Sequence, residues 1–182
     1  LRSDGYDEYK IILGSLGKFI YHLMFFFTSK ISILISCRKY ILRGKKGYIV
    51  SPSQLAQSWH QNYVNPITDS IKLIYVGRIK KEKGIYSLMS LIKDQSKINL
   101  TIVGASEEDN KIAKQKNINI INIIKDKTKL INLYDENNIM ILPSYTEGYP
   151  MVILEALSRL RPVIVFKEIE HVVENRKGIF VS

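Results

Sequence analysis

The sequence predicts an α/β fold in which a Rossmann-like parallel sheet carries helices on both faces. From residue 71 onward, short apolar runs alternate with single helix-like segments. The runs are apolar throughout, which is typical of strands that are buried on both faces of a parallel sheet. Two of them, IKLIYVG and INLTIVG, end in glycine. Right-handed crossovers between successive strands would then place helices on both sides of the sheet.

The individual elements follow from the same alternation. Strands are predicted at 71–77, 98–104, 118–124, 138–142, 161–165 and 177–182. Helices are predicted at 83–95, 106–116, 127–137, 150–160 and 168–175. Pro150 suits the first position of its helix because its missing N–H would have no intrahelical partner there.

Residues 1–66 predict a different unit, the last part of a second α/β domain. A long apolar helix is predicted at 17–42, a strand at 47–51 and a helix at 52–63 with Ser51 as its N-cap, followed by a linker at 64–70. His22 and Lys30 interrupt the apolar helix before it reaches the roughly 20 residues that a membrane span needs. A buried core helix is therefore favoured over a membrane-surface helix. Residues 67–182 would form the C-terminal domain, and both ends of the chain are expected to be truncated.

The composition argues against a disulfide framework, a metal site and nucleic acid binding, and it leaves the meaning of the net charge open. The chain has 182 residues, 46% of them hydrophobic, and a formal net charge of +10. This charge indicates anionic partners, although solvated surface lysines explain it equally well. Cys37 is the only cysteine and the three histidines lack ligand spacing, so neither a disulfide framework nor a metal site is predicted. No basic motif interleaved with aromatic residues supports nucleic acid binding. A single cysteine is consistent with a reducing cytoplasm.

Charged and glycine-rich features collect at the carboxyl ends of the predicted strands, where parallel sheets bind their ligands. Gly77, Arg78 and Lys83 follow the first strand, and Gly104 ends the second. Arg78 and Lys83 could bind phosphate and stabilise the charge of a departing diphosphate, although alone they could form a solvated basic turn.

The loop after the fourth strand contains Glu147 and Gly148 and leads into a helix that contains Glu155. The helix N-terminus suits phosphate, and Gly148 lets the backbone approach a ligand closely. Glu155 could accept both hydroxyls of a ribose, and Glu147 those of a sugar beyond the phosphates. Because apolar residues surround Glu155 in the sequence, its carboxylate is expected to be partly enclosed and to need partners.

The segments YVGRIKKEKGIYSLM, LTIVG, ILPSYTEGYPMVILEAL and PVIV resemble, in order and spacing, the C-terminal nucleotide-sugar-binding domain of retaining glycosyltransferases of family 4, which have the GT-B fold. Glu147 and Glu155 match the Glu-x7-Glu motif of that family. The resemblance covers about residues 71–182, and residues 1–66 resemble the end of the acceptor-side domain more weakly.

The resemblance implies a hexosyl-type transferase that moves a sugar, with retention, from a nucleotide-diphosphate sugar to a glycan or lipid-linked acceptor of a surface polysaccharide. Glu147, Arg78 and Lys83 would be catalytic. The residues that bind the donor would be Gly77, Gly104, Gly148, Tyr149, Pro150, Met151, Val152 and Glu155. No metal and no separate cofactor would be needed. The protein would be cytoplasmic, with peripheral contact with the anionic inner face of the plasma membrane as an open option. This chain alone is expected to be inactive.

Three departures from the family pattern leave alternatives open. Leu160 and Arg161 stand where a glycine usually precedes PVI, which predicts a weaker helix C-cap. The strand at 118–124 lacks the glycine that usually follows it, and the segment FKEIEHV lacks the usual glycines near the sugar. The alternatives are another GT-B enzyme, such as a nucleotide-sugar epimerase, and a non-catalytic nucleotide-sugar-binding domain.

Overall fold

The structure, a computed structural model, describes residues 4–50, 55–106, 109, 116–173 and 176–182. The chain forms two compact units. The first is drawn from residues 1–54 together with Thr146–Pro150, and the second from Leu55–Tyr145 and Met151–Ser182. The division into domains at residue 66 stays a prediction.

In the first unit a helical segment that is interrupted at Gly14 precedes a small parallel sheet. Helix α1 covers Gly5–Ile31, and strands β1 (Ile35–Ser36) and β2 (Tyr48–Ile49) pair in parallel. Asp4 caps α1 by accepting a hydrogen bond from the Tyr6 amide. The backbone leaves helical geometry at Gly14, where φ is 66° and ψ is −148°.

The predicted helix at 17–42 is wrong at its C-terminal end. Helical structure already begins at Gly5, is interrupted at Gly14 and ends at Ile31. The following residues, 32–36, include two β-branched isoleucines, which favour extended structure, and the last two of these residues form β1. A short 3-10 helix, Lys39–Leu42, follows this strand. The expected burial is also absent from the described part of α1, where only Gly5, Tyr6, Gly17 and Phe25 are buried.

The predicted helix at 52–63 is also corrected. Its first residues and Ser51 lie outside the described residues, and the remainder contains a 3-10 helix, Gln57–His60. The chain then becomes extended at Gln61, and the carbonyls of Trp59, Gln61 and Asn62 accept hydrogen bonds from the Arg159 side chain instead of from a helical ladder.

The second unit is built on a six-stranded parallel sheet of order β5-β4-β3-β6-β7-β8. The strands are β3 (Ile71–Val76), β4 (Ile98–Ala105), β5 (Ile118–Asn122), β6 (Ile139–Leu142), β7 (Val163–Val165) and β8 (Ile179–Val181). If β3 is taken as the first strand of this unit, the order reads 3-2-1-4-5-6, which is the order of a doubly wound nucleotide-binding sheet. The predicted fold class is therefore confirmed.

Helices connect these strands close to their predicted positions. They are α2 (Ile85–Ile92), α3 (Lys127–Glu136) and α4 (Met151–Ser158), with 3-10 helices at Lys81–Lys83 and Lys167–Val172. The helix predicted at 106–116 lies largely outside the described residues. Asp126 caps α3 by accepting hydrogen bonds from the Thr128 and Lys129 amides.

Two fully buried arginines tie the second unit together near the end of α4. Arg159 and Arg161 are 1% and 0% exposed, and both approach the carboxylate of Asp135. Their remaining donors reach main-chain oxygens: Arg159 bonds Trp59, Gln61 and Asn62, and Arg161 bonds Val64, Tyr134, Asp135, Asn137 and Arg159. The bonds from Arg161 to Tyr134 and Asp135 provide donors for two carbonyls in the last turn of α3.

The C-terminus of α4 forms a Schellman motif with leucine at the left-handed position. The Arg161 amide donates to Ala156 at 2.9 Å, the Leu160 amide donates to Leu157 at 3.1 Å, and Leu160 has φ 59°. The cap is therefore present despite the missing glycine, and the strain falls on Leu160.

Replacing Leu160 with glycine should stabilise the protein by about 0.5–1 kcal/mol, because glycine adopts positive φ without strain. Leu160 is 48% exposed, so the loss of its half-buried side chain offsets only part of the relieved strain. The melting temperature and urea unfolding would measure this change. The matched control is Leu91→Gly on the exposed side of α2, which should destabilise by about 1 kcal/mol. Equal destabilisation by both substitutions would contradict the strain at Leu160.

Candidate functional site

The strand order reverses between β3 and β6, which makes this point of the sheet the expected ligand-binding crevice. β3 pairs with β4 on one side and with β6 on the other, so successive connections run in opposite directions. The loops that leave the carboxyl ends of β3 and β6 contain most of the predicted site residues.

Gly77 and Gly104 lie side by side at the ends of β3 and β4. The Gly77 amide donates to the Val103 carbonyl at 2.9 Å. Gly104 has φ 117°, and a Cβ atom there would lie 2.5 Å from the Gly77 carbonyl oxygen. A side chain at position 104 would therefore force the two strand ends apart.

Arg78 and Lys83 lie on the loop between β3 and α2. Arg78 is exposed and Lys83 half-buried. The Tyr75 hydroxyl donates to the Arg78 carbonyl at 2.8 Å, which fixes the backbone at the start of this loop. Gly84 ends the loop in the left-handed conformation, with φ 65°.

The loop after β3 packs against the beginning of the loop after β6. A Cβ atom at Gly84 would overlap the carbonyl oxygen of Pro143. The Tyr145 amide donates to the Glu82 carbonyl at 3.0 Å. The Tyr145 hydroxyl lies 2.9 Å from the Ser87 hydroxyl. The two loops that flank the strand-order reversal are thus held together by backbone contacts.

Glu147, Gly148, Tyr149 and Pro150 belong to the first compact unit, whereas the other predicted site residues belong to the second. Within the first unit, the Tyr40 hydroxyl donates to the Glu147 carbonyl at 3.2 Å. Burial, and then the charge of Asp4, raises the pKa of Tyr40 to about 12, so this hydroxyl stays protonated at neutral pH. The Arg38 guanidinium lies 4.9 Å from the centre of the Tyr149 ring, a cation–π distance.

Glu155 lies in the second turn of α4, behind Met151 and Val152, which open the helix. Its carboxylate is half-buried, as the sequence predicted, and it accepts a hydrogen bond of 3.0 Å from the Tyr134 hydroxyl. Burial raises the pKa of Glu155 above its usual value, and the hydrogen bond from Tyr134 opposes that rise.

A cavity of about 660 Å³ lies at the opposite, amino-terminal edge of the sheet. Lys72 and Asn99, the second residues of β3 and β4, line it together with Thr101 and Asp135. It contains none of the predicted site residues. Open parallel sheets bind ligands at the carboxyl ends of their strands. The crevice at the strand-order reversal is therefore a better candidate site than this cavity.

Metal-ligand clusters are absent from the described residues: no group of three His, Cys, Asp or Glu side chains could hold an ion there.

Sequence reasoning missed Tyr134, Tyr40 and Arg38. Tyr134 follows Leu130 and Ile131 at helical spacing, so the pattern indicates only an apolar helix face. Its hydroxyl gains a role only when the packing of α3 brings it to Glu155. Tyr40 lies 107 positions before Glu147, and no local pattern signals a contact at that separation.

Comparison with known proteins identifies the family. Residues 56–181 match the family model described as "Glycosyl transferases group 1". The chain therefore belongs to the glycosyl transferases group 1 family.

One curated relative and two solved structures illustrate the likeness. The capsular polysaccharide biosynthesis glycosyltransferase CapM of Staphylococcus aureus is 29% identical over 135 residues, which cover 67% of this chain and 35% of CapM. A sucrose-phosphate synthase from Thermosynechococcus elongatus superposes with a TM-score of 0.72 at 19% identity, over 98% of this chain and 52% of that chain. A mutant of S. aureus TarM, solved with Fondaparinux, alpha-GlcNAc-glycerol and UDP, has a TM-score of 0.71 at 17% identity. It covers all of this chain, which corresponds to 39% of TarM.

These likenesses have a defined extent. The structural matches support the GT-B fold already indicated by the sheet order. The chain spans about a third or less of the length of the curated relatives that it matches, since the shares range from 23% to 35%.

Replacing Gly84 with alanine should destabilise the protein by about 2–4 kcal/mol, because the new methyl adds positive-φ strain to a clash with Pro143. Chemical unfolding measures this loss.

Gly44→Ala is the matched control for this substitution. Gly44 has φ 77° with open space around its Cβ position, so only the strain of about 1 kcal/mol remains. Equal losses of stability in both variants would contradict the close packing of the two loops.

Proposed function

We propose that this chain is the donor-binding part of a glycosyltransferase that transfers a hexosyl-type sugar, with retention, from a nucleotide-diphosphate sugar. The acceptor is a glycan or lipid-linked glycan of a surface polysaccharide. One observation supports this most directly: a half-buried carboxylate, Glu155, lies on the helix that follows the strand-order reversal of a nucleotide-binding sheet. Family membership and the sheet order support the same conclusion.

Each predicted residue has a role in this proposal. Glu155 accepts the two ribose hydroxyls of the donor, and Arg78 with Lys83 binds its diphosphate. The main chain from Gly148 to Val152, which leads into α4, presents its N–H groups to the phosphates, Pro150 excepted. Gly77 and Gly104 let the ends of β3 and β4 approach the donor closely. Glu147 binds the hydroxyls of the transferred sugar.

The proposed reaction is a displacement on one face of the sugar. The anomeric C–O bond to the diphosphate breaks, and the acceptor oxygen forms the new bond from the same side. The acceptor proton passes to the departing phosphate oxygen. Arg78, Lys83 and the helix N-terminus stabilise the charge that develops on the diphosphate. These groups do this without a metal ion, so we propose that transfer is metal-independent.

The surface-polysaccharide acceptor is supported by the relatives. CapM is named for capsular polysaccharide biosynthesis, and TarM was solved with UDP. We therefore propose a nucleoside diphosphate sugar as donor and a growing envelope glycan as acceptor.

Glu155→Gln should weaken nucleotide binding about 10-fold or more, because hydrogen bonds to a charged group contribute about 1.5–3 kcal/mol. Calorimetric titration of the intact protein with UDP, GDP and ADP measures this loss. Glu136→Gln, an exposed charge at the end of α3, should leave binding unchanged. Equal affinities for wild type and Glu155→Gln would contradict the ribose assignment.

Turnover tests the reaction itself. The intact protein is incubated with a nucleotide-sugar panel and lipid-linked or glycan acceptors, in the presence and absence of EDTA. We expect acceptor-dependent nucleotide release that EDTA does not abolish, and a product with the anomeric configuration of the donor by NMR. Interconversion of donor sugars without an acceptor would indicate an epimerase. Binding without turnover of any donor would indicate a non-catalytic domain.

We also propose that α1 contacts an anionic membrane surface from the cytoplasmic side. Counted from Gly5 to Ile31, α1 meets a test of length and composition for a membrane span, as core helices of soluble proteins and signal sequences also do. The break at Gly14, however, brings Tyr6 beside His22 and Phe25, so α1 is not one straight helix of that length. One face of α1 forms an exposed apolar stripe, whose side chains are between 37% and 85% exposed: Leu16, Phe19, Ile20, Leu23, Phe27 and Ile31. A helix with such a face lies in the membrane interface when cationic groups accompany it.

The cationic groups lie in the same compact unit. A basic pocket of about 300 Å³ is lined by Lys18, His22, Arg43 and Lys45, beside the rings of Tyr6, Phe25 and Phe26. Arg43 pairs with Asp4 at 2.5 Å, whereas Lys18 and Lys45 are exposed at its rim. An exposed apolar stripe together with lysines in the same unit favours an anionic bilayer as the partner of α1.

Lys18→Gln combined with Lys45→Gln should reduce binding of the intact protein to phosphatidylglycerol vesicles about 30-fold, since each lysine contributes about 1 kcal/mol near an anionic surface. Binding to pure phosphatidylcholine should be weak for both proteins. The control exchanges exposed lysines of the second unit, Lys93→Gln with Lys97→Gln, and should bind like wild type. If wild type binds neither vesicle, the proposal is wrong.

A further inference from the structure

We propose that Tyr134 is a positioning residue for nucleotide binding, because its buried hydroxyl holds and orients the Glu155 carboxylate toward the ribose. This inference rests on the proposed role of Glu155. It adds a residue on α3, outside every loop that the sequence motifs indicate.

The geometry joins the two side chains directly. The Tyr134 hydroxyl donates to Oε2 of Glu155 at 3.0 Å and lies 3.5 Å from the Val152 carbonyl oxygen, one turn earlier on α4. Tyr134 is fully buried, so water does not compete for this hydroxyl. A carboxylate held by a buried donor keeps one rotamer, and it does not have to be ordered again when ligand binds.

Both ends of Tyr134 are fixed. Its ring meets the Trp59 ring edge-on, with 5.6 Å between centroids and 72° between planes. Its main-chain carbonyl accepts a hydrogen bond of 2.8 Å from Nε of the buried Arg161. The hydroxyl therefore has little freedom to move away from Glu155.

The second carboxylate oxygen is the one left for the ligand. Within the described part of the chain, Tyr134 is the only residue that hydrogen-bonds the carboxylate, and it uses Oε2. Each carboxylate oxygen has two acceptor sites, so Oε1 and the remaining site of Oε2 can accept two ribose hydroxyls.

The hydrogen bond between Tyr134 and Glu155 affects the pKa of both side chains, and this effect can be measured. Burial raises the pKa of Glu155 above the usual 4.5, and the Tyr134 hydrogen bond lowers it. Burial, followed by the Glu155 charge, raises the pKa of Tyr134 well above 10, so the tyrosine remains a donor at neutral pH. The nearby charges of Asp135, Arg159 and Arg161 face one another instead of Glu155.

The raised pKa of Glu155 determines how nucleotide binding should depend on pH. Glu155 must be ionised to accept ribose hydroxyls, so nucleotide binding should weaken as the pH falls through its raised pKa. Tyr134→Phe removes the hydrogen bond that lowers this pKa, so the weakening should begin at a higher pH. A purely structural loss would lower the affinity without moving the acid limb.

The experiment is a double-mutant cycle on the intact protein: wild type, Tyr134→Phe, Glu155→Gln and the double variant. Affinities for UDP and GDP, and for their 2′-deoxy analogues, are measured by calorimetry across the acidic pH range. Phenylalanine keeps the ring against Trp59, and thermal unfolding confirms that each variant is folded. Tyr6→Phe is the control, since it removes a buried hydroxyl that bonds His22 in the first unit.

We expect Tyr134→Phe to weaken binding roughly 10-fold at neutral pH and to shift its acid limb upward. In the Glu155→Gln background the same change should alter affinity less than about twofold, since no carboxylate remains to be oriented. Tyr6→Phe should have no effect on binding. Preference for the ribonucleotide over its 2′-deoxy analogue should fall in Tyr134→Phe.

Failure of this inference is distinct from failure of the proposed function. If Glu155→Gln weakens binding but Tyr134→Phe changes neither affinity nor pH profile, Tyr134 has no positioning role and the ribose assignment stands. An equal loss from Tyr134→Phe in both backgrounds would show a structural effect and also overturn the inference. If Glu155→Gln itself binds nucleotide like wild type, the proposed function of Glu155 is wrong.

Discussion

The second unit depends on the burial of two guanidinium groups around one carboxylate. Two buried cations would be strongly unfavourable if Asp135 and the surrounding main-chain oxygens did not satisfy their donors. Arg159 uses the segment from Trp59 to Asn62, and Arg161 uses Val64 and the end of α3. Three parts of the chain that are far apart in sequence therefore have to come together before the charges can be buried.

The cluster of Arg159, Arg161 and Asp135 also helps to fix the position of Glu155 in the candidate site. Arg161 holds the last turn of α3, this turn holds Tyr134, and Tyr134 reaches Glu155 on α4. Replacing such a buried ion cluster with apolar residues is often neutral for stability, so its value here lies in specific geometry. Arginine suits this task better than lysine, because its planar fork can bond several carbonyls in fixed directions. The role proposed for Glu155, accepting two ribose hydroxyls, requires that precision.

Much of the sheet was predictable, because six apolar runs separated by helices allow few arrangements other than a doubly wound fold. The glycines at 77 and 104 and the position of Glu155 on a helix after β6 follow from the same local patterns. The first 66 residues were less predictable: the helix predicted at 17–42 ends early, and only a short 3-10 helix lies within 52–63. At 52–63 the chain turns to contact distant residues, since the carbonyls near Trp59 bond Arg159. Local propensity contains no record of those partners.

The turn at Leu160 shows how one departure from a family pattern can have a structural reason. Glycine would relieve the strain of the left-handed residue, yet the motif forms with leucine. The amide of the next residue, Arg161, closes the turn on Ala156, so the turn fixes where the Arg161 side chain enters the core. Its guanidinium then makes hydrogen bonds with main-chain oxygens on both α3 and the segment at Val64. The hydrogen bonds made by Arg161 offset a strain of about 1 kcal/mol at Leu160. The strained conformation of Leu160 is therefore tolerated because it places Arg161 in the core.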